Sequence, residues 1–188
     1  MARPKSDDKR NALMAAAIRV IAAQGLSAPT AAIAQAAGIS TGSLFTYFAT
    51  KADLLNQLYL ELKARMAQTA LAGVSPKLAL RTQFARMWAN WTRWATTNPD
   101  QRRALALLQV ADDITPVTRA ASHDAMAPLA ALLQQARATG PLKHAPMSFV
   151  VALMTSLAET TMDFMLHDPA NAETCSKTGF EALWRALT

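Results

Sequence analysis

The stretch AGISTGSLFTYFATK, residues 37–51, carries a single charged side chain, Lys51, in a chain of 188 residues whose formal net charge is +6. It holds two glycines, Gly38 and Gly42, and three aromatics, Phe45, Tyr47 and Phe48. Serine at position 40 has the short hydroxyl that caps a free helix amide, so a short helix is expected to start there. On a wheel of 100° per residue, residues 40–48 separate into two faces. Leu44, Phe45 and Phe48 fall on one side as anchors; Gly42, Ser43, Thr46 and Tyr47 fall on the other, small and hydroxylated apart from one phenol.

Upstream, TAAIAQAA follows Pro29, which suits a first helical turn because it lacks the amide hydrogen that would be unpaired there. This second short helix is expected to end at Gly38. Two short helices joined by a four-residue, glycine-containing connection form the helix-turn-helix pattern, whose second helix enters the DNA major groove. Before them, a helix from Ser6 or Asp7 to Gln24 is closed by Gly25, with Leu13, Ala17, Ile18 and Ile21 as its inward stripe. After them, Lys51 opens a longer helix with Leu54, Leu55, Leu58 and Leu62 on one side. Gly73 and Pro76 mark a boundary.

Apolar spacings of three and four recur to the end of the chain, and β-branched residues are sparse. Five further helices are expected over 76–97, 100–111, 116–138, 146–167 and 171–187, with Pro128 bending the third. The fold class is all-α with about nine helices. Three parts are expected: a helix-turn-helix unit over 1–50, a connecting helix over 51–72, and a helical C-terminal domain over 73–188.

With 52% apolar and 17% charged residues, the chain can bury a substantial core. The single Cys175 excludes a disulfide within the chain and points to a reducing compartment. The N-terminus lacks a signal-like apolar stretch, and the uninterrupted apolar runs, such as 149–154, are short of a bilayer's width. A soluble cytoplasmic protein without a membrane partner is expected. Residues 1–51 hold Arg3, Lys5, Lys9, Arg10, Arg19 and Lys51 against Asp7 and Asp8, a balance of +4 out of the total +6. Charge concentrated at the helix-turn-helix end suits contact with phosphates.

The string Ala37-Gly38-Ile39-Ser40-Thr41-Gly42-Ser43-Leu44-Phe45-Thr46-Tyr47-Phe48, followed by Lys51 and Leu54 and preceded by Ile33-Ala34, resembles the signature of TetR-family transcriptional regulators. The resemblance covers about residues 10–60 and implies a three-helix DNA-binding domain over 1–50, a larger C-terminal ligand-binding and dimerisation domain over 73–188, and a homodimer that leaves a palindromic operator when a small effector binds. It implies DNA contacts by Thr41, Ser43, Phe45, Tyr47 and Lys51, with Ser40 and Gly42 presenting the recognition helix and Thr30 meeting a phosphate. Ala31 departs from the arginine or polar residue frequent in the family, which removes one base reader.

Thr46 joins these on the wheel's outer face, and Arg3 and Lys5, with Lys9 and Arg10, can reach phosphates or the minor groove from the N-terminal arm. Replacing Tyr47 and Lys51 with alanine is expected to abolish operator binding.

Farther along, Phe84, Met87, Trp88, Trp91 and Trp94 recur at helical spacing, either as core or as part of an apolar effector cavity. Trp88, Trp91, His123, Met126, Met154, Glu159, Met162 and Asp163 are the candidate ligand residues. The last two helices offer Phe149, Leu153, Leu157, Phe164, Phe180, Leu183, Trp184 and Leu187 either to a second copy or to intrachain packing. No cofactor, metal or catalytic residue is expected: there is no His-Glu-x-x-His, no phosphate-binding glycine loop and no cysteine and histidine pairing. The chain therefore reads as a ligand-responsive, dimeric DNA-binding regulator and not an enzyme. The alternative is a helical carrier or adaptor without DNA affinity.

Overall fold

The computed structural model describes the backbone from Lys5 to Thr188 and the side chains from Asp7 onward. The described residues form α-helices and no strands, as the apolar spacing predicted. The helices are α1 (Lys5–Gln24), α2 (Thr30–Ala36), α3 (Thr41–Phe45), α4 (Lys51–Ala70), α5 (Leu80–Thr97), α6 (Pro99–Gln109), α7 (Pro116–Ala136), α8 (Met147–His167) and α9 (Ala172–Leu187).

Local chemistry accounts for the ends. Gly25 closes α1 at φ 82°, donating its N–H to the Ile21 carbonyl at 2.8 Å. Gly38, at φ 71°, ends α2 in a Schellman arrangement: its N–H reaches Gln35 and that of Ile39 reaches Ala34, both at 3.0 Å. The fifth helix starts at Leu80, later than position 76, because Ser75 to Leu78 close a turn of their own. α7 continues through Pro128, which is exposed, so water can serve the carbonyl left without a donor.

Packing divides the chain into two compact units. One comprises the residues up to Ala64 together with Asn98–Asp124; the other comprises Arg65–Thr97 and Ala125–Thr188. The physical reason for the discontinuity is that α6 packs on α1. In this first unit α1 also packs on α2, and α2 on α3. The predicted stripe of Leu13, Ala17, Ile18 and Ile21 is buried, as are Leu54, Leu55, Leu58 and Leu62 of α4.

Asn56 ties α4 to the α6–α7 connection, donating to the Asp113 carbonyl at 2.8 Å and accepting from the Thr115 N–H at 3.0 Å. Nearby, Lys63 donates to Gln109 Oε1 at 3.3 Å and lies over the Tyr59 ring. Burial, aided by the Arg119 guanidinium, holds the Lys63 ammonium below the usual lysine range.

In the second unit α5, α8 and α9 pack on one another. Trp88 is buried and donates its indole N–H to the Ser176 carbonyl at 2.9 Å, while Phe84 and Phe180 lie against Trp184 with ring centroids 5.9 and 6.0 Å away. Two glycines allow close approach. A Cβ on Gly179 would collide with Thr161 Oγ1, and one on Gly140 would lie 2.5 Å from the Leu187 carbonyl carbon.

Among the described residues α8 is long and apolar enough to cross a membrane by length and composition. Counting uninterrupted runs overlooked it, because its polar residues are mostly uncharged serine and threonine. Phe149, Leu153 and Phe164 share one exposed face within about 60° at 100° per residue.

Candidate nucleic-acid interface

α3 is built on the expected cap. The Ser40 hydroxyl accepts the Ser43 N–H at 3.1 Å and lies 2.9 Å from the Ser43 hydroxyl. The regular helix spans only Thr41–Phe45, and Thr46 to Phe48 continue it as a turn whose amides still bond back to Ser43 and Leu44. Leu44 and Phe48 are buried and fix the segment to the rest of the unit.

Phe45 does not join these anchors. It is 45% exposed, which corrects its placement on the inner side of the wheel. Nine residues read as one ideal helix set Phe45 100° from Leu44, too far around for both to point inward. The exposed position instead adds an aromatic to the outward face, where Gly42 and Thr46 are exposed and Thr41, Ser43 and Tyr47 are half-buried. The Thr46 hydroxyl donates to the Ser43 carbonyl at 2.7 Å and retains acceptor capacity toward solvent.

The segment ends in a device that the sequence reading passed over. Asp53 N–H donates to Thr50 Oγ1, and Thr50 N–H donates to an Asp53 carboxylate oxygen, both at 3.0 Å. This reciprocal capping box starts α4 and puts Lys51, half-buried, in its first turn. The signal was present as Thr-x-x-Asp ahead of an apolar run. Thr30 begins α2 behind Pro29 and is half-buried, while Ala31 beside it is exposed.

The basic residues divide. Lys9 is exposed. Arg10, expected among the phosphate contacts, is half-buried and engaged within its unit: it reaches Glu61 at 3.2 Å and Gln57 at 3.1 Å, with its guanidinium 5.9 Å from the Phe48 ring centre. Arg19 donates to the Ala36 carbonyl at the end of α2. Arg3 lies outside the described residues, as does the side chain of Lys5.

The candidate effector residues differ in burial. Trp88 and Met162 are buried core, Trp91 stands edge-on to Trp88, Met126 and Met154 are half-buried, and His123 is exposed. Glu159 and Asp163 each have an interaction partner within the structure. An open recess of about 320 Å³ lies between α5 and α9, lined by the candidate Trp88 and by Thr82, Ala85, Ala89, Ser176 and Phe180, with Arg86 and Lys177.

The candidate dimer residues also divide. Phe180, Leu183 and Leu187 are buried within one copy, where α9 packs on α5 and α8. Leu157 and Trp184 are half-buried, and Phe149, Leu153 and Phe164 remain exposed.

Comparison with known proteins agrees with this arrangement. Residues 13–58 match the model of the bacterial regulatory proteins of the tetR family. Over the whole chain, the structure is similar to that of a putative tetR family transcription regulator from Shewanella sp. PV-4, with a TM-score of 0.84, 26% identity and coverage of 95% of this chain and 97% of that one. A TetR family transcription regulator from Marinobacter aquaeolei VT8 superposes with a TM-score of 0.83 at 23% identity, covering 99% and 98% of the two chains. The transcriptional regulator FadR from Bacillus subtilis, solved in complex with stearoyl-CoA, has the same fold at 15% identity, with a TM-score of 0.71 and coverage of 95% and 100%.

Proposed function

Residues 13–58 are a helix-turn-helix segment of the tetR family in a chain with the fold of TetR-family transcription regulators, and on that premise we propose that the protein is a dimeric, effector-responsive repressor of transcription. The observation that carries the reading is the outward face of α3. Leu44 and Phe48 anchor it from beneath, and Gly42, Phe45 and Thr46 stand exposed with Thr41, Ser43 and Tyr47 partly so. Hydroxyls can exchange hydrogen bonds with base edges, and aromatic rings can meet thymine methyls, so this face can read sequence without arginine. Affinity comes from elsewhere: Lys9, Lys51 and the arm residues Arg3 and Lys5 supply the charge that displaces counterions from phosphates.

A two-fold dimer sets two recognition helices about one DNA turn apart, roughly 34–36 Å, and reads a palindromic site. The exposed apolar face of α8, with Phe149, Leu153 and Phe164, supplies the subunit contact. The effector is a small apolar or amphipathic molecule taken up by the unit that contains α5, α8 and α9. The complex of a protein of the same fold with stearoyl-CoA supports that class. A regulator of this kind works in the cytoplasm and does no catalysis.

Selection of bound duplexes from a random pool tests the proposal. The expected product is a two-fold symmetric site whose half-sites are centred about 10 base pairs, or a multiple of that, apart. Recovery of unrelated sequences, or of none above background, would refute it.

A further inference from the structure

We infer that Arg10 is a positioning residue for the recognition helix and not a phosphate contact; the inference rests on the proposed DNA binding for its functional readout. Arg10 projects from α1 to three groups at once. Its Nη1 is 3.2 Å from Glu61 Oε1, its Nη2 is 3.1 Å from Gln57 Oε1, and its guanidinium carbon is 5.9 Å from the centre of the Phe48 ring. Gln57 and Glu61 are four residues apart and so share one face of α4. Phe48 is the buried residue that ends the recognition segment, two positions before the Thr50 cap. One planar fork therefore joins α1, the end of the recognition segment and the body of α4.

Arginine suits this role better than lysine. Its fixed, planar set of donors can serve two acceptors while the flat face lies over an aromatic ring, whereas an ammonium is a point charge. Engaged in this way, the guanidinium is withheld from the DNA backbone, although Arg10 lies in the most basic quarter of the chain. Its neighbour Lys9 is exposed and has no such engagement among the bonds and ion pairs described, so the pair provides an internal contrast.

The roles differ in salt dependence. A residue that neutralises one phosphate contributes about 0.9 to the slope of log affinity against log salt, or about 1.8 for a dimer. A positioning residue lowers affinity at every salt concentration and leaves the slope unchanged. The experiment measures binding of a duplex recovered by selection between 50 and 300 mM KCl, for the wild type and four variants.

Arg10→Met is expected to weaken binding about tenfold or more at constant slope, and Arg10→Lys to fail to restore it. Glu61→Gln, which removes a negative charge and should strengthen binding by electrostatics alone, is expected to weaken it. Lys9→Met should reduce the slope. The inference is overturned if Arg10→Met flattens the slope by about 1.8, if Arg10→Lys binds like the wild type, or if Glu61→Gln binds more tightly.

Should the wild type bind no duplex at all, the proposed function fails, and amide exchange decides the structural part separately. Faster exchange over residues 40–50 in Arg10→Met supports the brace, and unchanged exchange there rejects it.

Discussion

Replacing Phe164 with glutamate is expected to turn the proposed dimer into a folded monomer. Phe164 is 61% exposed and Phe149 50% exposed on the same face of α8, so a single copy gains little from either ring. In a two-fold contact each residue is used twice. Burying the exposed part of a phenylalanine is worth about 1 kcal/mol, and placing an unpaired carboxylate in an apolar contact costs more than that. For two copies the loss reaches at least about 4 kcal/mol, roughly a thousandfold in the dimer dissociation constant. Sedimentation equilibrium should register the monomer, with helical circular dichroism unchanged because the site is exposed in each chain. A Phe164→Glu protein that stays dimeric at micromolar concentration would place the subunit contact elsewhere.

Substituting alanine for Gly140 lowers thermal stability sharply. A Cβ at Gly140 would overlap the Leu187 carbonyl oxygen, stand 2.5 Å from its carbon and 3.0 Å from the Thr188 Cα. All three atoms are backbone, so no rotamer change relieves the clash, and the last turn of α9 must move. The loop is also held from the other side: buried Arg137 donates to the carbonyls of Leu142 and Ala145 and to Gln134 Oε1. Overpacking at such a site costs about 3 kcal/mol, a fall in Tm of roughly 6–12 °C for a chain of this size. Gly42→Ala is the control: its Cβ would meet only Ser40 Oγ at 4.0 Å, so Tm should stay within about 2 °C. Equal melting of Gly140→Ala and wild type would contradict the packing of this loop.

What could be read beforehand was what depends on neighbours along the chain. Gly25 and Gly38 stop their helices, Ser40 caps α3, and Leu44 and Phe48 are buried, because capping and the 3.6-residue period act over four residues or fewer. Phe45 faces outward because it stands 100° from Leu44, outside the 40° arc that Leu44 and Phe48 share. Long-range partners left no local mark. Arg10 finds Glu61 51 positions away, Asn56 finds Asp113 57 positions away, and Trp88 finds Ser176 88 positions away. The same limit explains α9: its stripe of Phe180, Leu183 and Leu187 was legible as apolar, but periodicity cannot say whether such a stripe meets its own chain or a second one. Trp88 shows the same limit: it is buried and also lines the recess between α5 and α9, and helical spacing cannot distinguish core from cavity wall.

The most direct test of the central claim is the salt dependence of binding to a selected duplex. With Arg10 engaged by Glu61 and Gln57, Arg3, Lys5, Lys9 and Lys51 remain to neutralise about four phosphates in each protomer. A dimer should then give a slope of log affinity against log salt of roughly −7, with binding weakening steeply between 50 and 200 mM. A slope near zero, or no preference for the selected duplex over bulk DNA, would contradict a regulator that holds the DNA backbone with its basic arm and reads the bases with the neutral face of α3.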